Sequence, residues 1–322
     1  MRRLLDCLGL MMGVAAMTVA TGVCARDYPA TVVKIVVPYA AGGATDVLGR
    51  LIAQRLSATW GQPVVVENKT GANGMIGGEQ VAKSPADGHT LLLVVPGHII
   101  NPSILAKSPY DVIVDFAPVT QVATSPWLVV AGQAVPATNL RELIALAKSQ
   151  PGKLAFGSSE PSTRLAGEFF KQMAGVDLLN VPYKGGAQVM TDVLGGQIQL
   201  AFTTSLTVGA LYGTGKVRVY AVASKTRIAA MPEVPTAAEA GLPGYETGAW
   251  YGLYAPARTP NDVVAKIQRD IAEQLQRPEV LERLKQMGAT PVGSTPEAFA
   301  AFTRNEYDRY AKIVRAANIK PE

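Results

Sequence analysis

The stretch Pro38-Tyr39-Ala40-Ala41-Gly42-Gly43-Ala44-Thr45-Asp46 constrains this chain more than any other. It follows a valine- and isoleucine-rich run, Val32 to Val37, that reads as a buried strand. It precedes Val47, Leu48, Leu51, Ile52 and Leu56, which are spaced as one face of a helix. The stretch is therefore a strand-to-helix turn. Its two consecutive glycines allow positive φ and let an outside group come close to peptide N–H groups. Thr45 or Asp46 is expected to supply the N-cap. Free N–H donors and the positive end of a helix dipole together suit an anion. A tight turn with no further role is the competing explanation, but a second glycine-rich turn and a serine-rich turn downstream weigh against it. The expectation is a pocket that holds a small carboxylate largely through backbone amides.

The chain has 322 residues, enough for two domains with large cores. A leader is expected over residues 1–25. Arg2 and Arg3 form its positive end, Leu8 to Val19 its apolar segment, and Val23-Cys24-Ala25 a small-residue cleavage pattern near Ala25. The mature chain would start near Arg26 as a soluble protein exported to the periplasm. Both cysteines, Cys7 and Cys24, fall in the leader, so disulfides, thiolate metal sites and a cysteine nucleophile are not expected in the mature protein. The net charge of +5 becomes +4 once the +1 contributed by Arg2, Arg3 and Asp6 is removed. The basic residues are dispersed without interleaved aromatics, which argues against nucleic acid as a partner.

From Arg26 onward, apolar runs and amphipathic segments alternate, the pattern of parallel α/β layers. Strands are expected at Val32–Val37, Pro63–Glu67 and Leu91–Val95, then at Leu154–Phe156, Leu178–Val181, Ile198–Phe202 and Val217–Ala223. Val119–Ala131 and Gly248–Ala255 read as extended crossings, and an all-helical tail follows. The fold class expected is α/β with two lobes joined by two crossing strands. Residues 26–124 plus 249–322 would form lobe 1, and residues 125–248 lobe 2. The turns at Gly42, Gly71, Gly97, Ser158 and Thr203 follow strand ends, where ligands of open α/β sheets bind.

Catalytic patterns are missing. The sequence has two histidines, His89 and His98, and neither HExxH nor GxSxG. Gly71-x-x-Gly74-x-x-Gly77 has the wrong spacing for a dinucleotide fingerprint. No enzyme activity, metal or cofactor is expected. His98, at a strand end, is a candidate cleft residue, with a packed histidine as the competing reading. Glu160 and Glu168 are the nearest candidates for an acid/base carboxylate pair, with a solvated loop residue and a helix-face charge as the preferred reading. Among Ser158, Ser159, Ser162 and Thr163, one is expected to cap a helix, which leaves hydroxyls for a ligand. Tyr183-Lys184-Gly185-Gly186 reads as a β-turn, and Trp127, Trp250 and Tyr251 as hinge packing.

Taken in order, these stretches resemble the Bug-type extracytoplasmic solute receptors of tripartite tricarboxylate transporters. The likeness rests on Val37-Pro38-Tyr39 with Gly42-Gly43-x-Thr45-Asp46, and on Val66-Glu67-Asn68-Lys69-x-Gly71-Ala72-x-Gly74-x-Ile76-Gly77. Asp87-Gly88-His89-Thr90-Leu91-Leu92, Val181-Pro182-Tyr183-Lys184-Gly185 and Trp250-Tyr251-Gly252-Leu253 extend it over the mature chain. The resemblance implies a Venus-flytrap periplasmic-binding-protein fold that clamps a small carboxylated solute and delivers it, as a monomer, to membrane transporter subunits. A subunit that presents its closed form to a membrane sensor kinase is the alternative. First-lobe contacts are implied for Tyr39, Gly42, Gly43, Ala44, Thr45, Asp46, Gly71, Ala72 and Gly74. Second-lobe contacts are implied for Ser158, Ser159, Thr163, Thr203 and Thr204. One departure stands out. Where many members of the family it resembles carry a Ser-x-Gly-x-Gly-Ser/Thr loop followed by His-Leu, this chain has Gly157-Ser158-Ser159-Glu160-Pro161-Ser162-Thr163-Arg164-Leu165. Arg164 would meet a second carboxylate or, the preferred reading, pair with Glu168.

Overall fold

The computed structural model describes residues 28–316. The leader expected over residues 1–25 lies outside them. The valine-rich run forms β1 (Val33–Val37), whose Val33, Ile35, Val36 and Val37 are fully buried. The glycine turn then leads into α1 (Ala44–Trp60). Next come β2 (Val64–Asn68), a single 3-10 turn at Ala72–Gly74, α2 (Met75–Ala82), β3 (Thr90–Val94) and α3 (Gly97–Ile104). The first crossing is β4 (Phe116–Pro126), separated from β5 (Leu128–Gly132) by Trp127 alone.

Beyond it lie α4 (Leu140–Ser149), β6 (Ala155–Ser158), α5 (Pro161–Ala174), β7 (Leu179–Pro182) and α6 (Gly186–Leu194). β8 (Leu200–Thr203), α7 (Ser205–Val208) and β9 (Val217–Val222) complete this part. The second crossing, β10 (Gly248–Pro256), returns the chain. The tail then adds α8 (Asn261–Leu275), α9 (Pro278–Gln286), β11 (Thr290–Pro291) and α10 (Pro296–Ala316).

Two sheets result, one per lobe. The first runs β11-β4-β10-β3-β1-β2, with β3, β1 and β2 parallel and β10 antiparallel to both β3 and β4. The second runs β7-β6-β8-β5-β9, with β7, β6 and β8 parallel. The crossings are bonded where the lobes meet: the Trp127 N–H donates to the Thr247 carbonyl at 3.1 Å, and the Thr247 N–H to Ala223 at 3.0 Å. The tail packs back on the first lobe. Phe299, fully buried, lies 4.9 Å from the Tyr254 ring and 5.9 Å from Trp250. In this placement the turns after β1, β2, β3, β6, β7 and β8 all follow the carboxyl ends of parallel strands.

Two local expectations change. Helix α1 starts at Ala44, and its N-cap is Gly43, in extended conformation (φ −77°, ψ 168°), rather than Thr45 or Asp46. The Asp46 carboxylate instead turns back to accept from the Gly42 N–H at 2.9 Å, so it braces the turn from inside the helix.

His98 is the second change. It is buried to 2% exposure, with ring centroids 5.1, 5.5 and 5.7 Å from Phe116, Tyr254 and Tyr110. It is a core residue of the first lobe and not a cleft residue, because its helix turns it toward the aromatic cluster under the sheet. Burial pushes its pKa down to about 3. Below about pH 6.5 the unfolded chain takes up a proton that the native core refuses. This group's contribution is therefore present above about pH 6.5 and is lost as pH falls toward 3. The expected slope from this group is up to about 1.4 kcal/mol per pH unit. Melting curves at pH 7 and pH 5.5 should show a larger loss for the wild type than for His98→Phe. Equal losses would contradict this account of His98.

Candidate functional site

Between the lobes lies a cavity of about 50 Å³. Its first-lobe wall is Tyr39, Gly43, Ala44, Thr45, Asp46 and Val95. Trp127 and Tyr251, from the two crossings, form its back. The second lobe contributes Gly157, Ser159, Glu160 and Thr163 from the β6–α5 turn and Gly186 and Val189 from α6. Phe202, Thr203, Thr204 and Thr207, from β8 and the helix after it, complete that wall. The volume fits a handful of water-sized groups.

The first-lobe wall is organised by Asp46. Its carboxylate accepts from the Gly42 N–H, from Arg50 at 2.9 and 3.0 Å, and from the Asn68 amide at 3.0 Å. Burial pushes this carboxyl up, but the Arg50, Gly42 and Asn68 bonds outweigh it and hold it below the usual range. Asn68 also donates to the Tyr39 carbonyl at 3.0 Å, so β2 and the turn after β1 are fixed together. Gly42 sits at φ +79°, the left-handed region that favours glycine. With Gly43 as a cap that offers no side-chain acceptor, the N–H groups of Ala44, Thr45 and Asp46 are left without the intrahelical partners that begin at Val47. They are donors on the cavity wall.

On the opposite wall, α6 also starts from a glycine, Gly185, with no side-chain cap. A Cβ placed on Gly43 would come within 3.8 Å of the Gly186 nitrogen, so the two bare helix starts converge on one place. The lobes touch beside it. The Ala40 N–H donates to the Lys184 carbonyl at 3.3 Å, and a Cβ on Gly185 would come within 2.4 Å of Ala40 Cβ. The segment read as a simple β-turn is thus an interlobe contact.

The β6–α5 turn is organised differently from expectation. Its helix is capped by Glu160, not by a serine or threonine, and Pro161 is the first helical residue. The Glu160 carboxylate accepts from the Ser162 N–H at 2.8 Å, the Ser162 hydroxyl at 2.6 Å and the Thr163 N–H at 2.9 Å. It also packs against α3: a Cβ placed on Gly97 would collide with its Oε2. Thr163 Oγ1 accepts from the Ser159 and Glu160 N–H groups and donates to the Glu160 carbonyl. Glu160 is therefore no solvated loop residue: it is 6% exposed and lines the cavity. Burial pushes its carboxyl up, against the downward pull of these bonds.

The cavity gathers nine of the residues expected at the site: Tyr39, Gly43, Ala44, Thr45, Asp46, Ser159, Thr163, Thr203 and Thr204. Gly42, Gly71, Ala72, Gly74, His98 and Ser158 are not on its wall. Gly74 lies behind the first turn, where a Cβ would sit 3.4 Å from Pro38 Cβ and from the Tyr39 ring; the second glycine turn supports the first. The Ser158 carbonyl accepts from the Tyr183 N–H at 2.7 Å. Glu168 pairs with Lys171 at 3.1 Å, and Arg164 is not on the wall. Sequence reasoning missed Glu160 and the lining roles of Trp127 and Tyr251. The available signal was Pro161, whose preference for the first helical position marks the preceding residue as the cap.

Comparison with known proteins agrees with this architecture. The family model of the tripartite tricarboxylate transporter family receptor (TctC) matches residues 48–319. The chain is 35% identical to Protein BugT of Bordetella pertussis over 324 residues, covering 99% of each. The solved structure of the periplasmic binding protein BugD superposes with a TM-score of 0.88 at 35% identity, over 92% of this chain and all of that one. R. palustris Rpa4515, solved with adipate, gives 0.89 at 35% identity, over 92% of this chain and all of that one. MatC of Rhodopseudomonas palustris, solved with bound malate, gives 0.84 at 32% identity, over 89% of this chain and all of that one. This chain therefore belongs to the tripartite tricarboxylate transporter receptor family, as a Bug-type solute-binding protein.

Proposed function

We propose that this receptor captures a small carboxylated metabolite between its lobes in the periplasm and delivers it, as a monomer, to membrane transporter subunits of the tripartite tricarboxylate type. The observation that carries this reading is the convergence of two helix starts, α1 and α6, each with a glycine N-cap lacking a side-chain acceptor. Three consecutive N–H donors on α1 and the positive ends of two helix dipoles meet at one place on the cavity wall. An anion supplies the acceptor that neither glycine has. The adipate and malate bound by the two R. palustris relatives support a carboxylate as that anion.

On this reading the open form takes the carboxylate on α1, and closure adds α6, Ser159, Thr203 and Thr204. The ligand stabilises the closed form by as much as its contacts differ between the two states. The closed form is what the transporter would recognise.

Two substitutions test the chemistry, each against a panel of small carboxylates and their amides in a thermal-shift screen. Ala44→Pro removes one donor from the wall at the first helical position, where proline is tolerated, and Gly43 already has the extended ψ that proline asks of its predecessor. The affinity for the best acid should fall about tenfold or more, the size of one hydrogen bond to a charged group, while the ligand-free melting temperature barely moves. Undiminished binding, or equal shifts from acid and amide in the wild type, would overturn backbone capture. Gly185→Val tests closure. Gly185 has an extended backbone (φ −178°) that any residue adopts, yet its side chain would strike Ala40. X-ray scattering should show a protein held open and unresponsive to ligand, and a variant that still contracts would refute the interlobe contact.

A further inference from the structure

We infer that this receptor selects ligands with a single carboxylate, and that Glu160 is the residue that excludes a second. The inference rests on the carboxylate-capture reading and names the ligand class of that same cavity.

A dicarboxylate needs two anion seats. Among the described residues that line the cavity there is no lysine, arginine or histidine, so seats come from helix starts. Those of α1 and α6 converge and make one seat, since a Cβ placed on Gly43 would come within 3.8 Å of the Gly186 nitrogen. A second seat would be the start of α5, on the same wall, and it is already filled from within. The Glu160 carboxylate takes the Ser162 and Thr163 N–H groups and the Ser162 hydroxyl. Pro161 has no N–H to give, the Arg164 N–H goes to the Glu160 carbonyl, and the other two first-turn N–H groups go to the Glu160 carboxylate, so the start of α5 offers a ligand anion nothing. Ionised, Glu160 repels a second carboxylate across a cavity of low dielectric. Protonated, it still fills the seat.

The rest of the wall suits an uncharged remainder. Val95, Trp127, Val189 and Phe202 are apolar surfaces, and Thr203 and Thr207 bring hydroxyls. The ligand class is therefore a small monocarboxylate whose other end is neutral or cationic.

The test is calorimetric titration of the mature protein with matched pairs: hexanoate and adipate, 4-hydroxybutyrate and succinate, benzoate and terephthalate. In any pair that binds, the monocarboxylate should bind at least about tenfold more tightly than its dicarboxylate. In Glu160→Gln, which keeps a capping oxygen but no charge, that ratio should shrink about tenfold. Glu160→Ser, a shorter neutral cap, should shrink it too, and serves if the glutamine variant does not fold. Dicarboxylates that bind the wild type as tightly as their partners would overturn the inference while leaving carboxylate capture standing. Variants that weaken both members equally, with the ratio kept, would reduce Glu160 to a helix cap and overturn it as well. Silence across every pair would overturn the carboxylate reading and this inference together.

Discussion

The site depends on one carboxylate that faces inward. Asp46 sits in the first turn of α1, where a negative side chain is favoured by the helix dipole. It turns its oxygens away from the ligand position, to Gly42, Arg50 and Asn68. That leaves Gly43 as the cap, and a glycine cap leaves the first N–H groups of the helix for something else. The same three bonds lock the turn to β2 and to the helix, so the donors are held in place before any ligand arrives. Preorganisation of this kind matters because a group already ordered does not lose entropy again on binding. Arg50 offsets the charge of Asp46, which reconciles a buried carboxylate with the anion site proposed beside it.

The second lobe repeats the scheme and then inverts it. Helix α6 starts bare, like α1, but α5 starts with its own anion. Two helix starts of one wall thus play opposite parts, and the difference lies in the residue before the first turn: Gly185 in one case, Glu160 in the other. The cavity is asymmetric as a result, with donors gathered at one end and satisfied groups at the other. That asymmetry orients whatever enters.

Much of this was legible in the sequence, and the exceptions share a cause. Strands such as Val33–Val37 and helices such as Leu140–Ser149 follow from apolar periodicity and local caps; Asn139 caps α4 through the Glu142 N–H as its residue type suggests. The turn at Gly42-Gly43 was recognisable because its glycines have a local backbone reason. What local pattern cannot give is the direction of a side chain set by distant packing. His98 follows a strand end that borders the cleft, yet the aromatic cluster of Tyr110, Phe116 and Tyr254 claims it. The Gly71 turn sits at a strand end too, but lies behind Pro38 and Tyr39. Glu160 was hidden because glutamate is an uncommon cap and a lone carboxylate in a loop normally faces water. The serines around it drew attention, while Pro161 carried the information.

The link between the lobes has a consequence for how the molecule can be watched. A single residue, Trp127, separates β4 from β5, and its indole ring forms the back of the cavity while its backbone bonds the returning crossing at Thr247. A rotation of one lobe against the other bends the chain at this residue and at the second crossing beside Thr247. Of the other two tryptophans, Trp60 lies against Asp270 within the first lobe, and Trp250, in the second crossing, packs on Phe299 of the tail. The protein therefore carries its own optical gauge: light emitted from the indole at position 127 changes with the polarity of the cleft, and so follows opening, filling and closing without an added label.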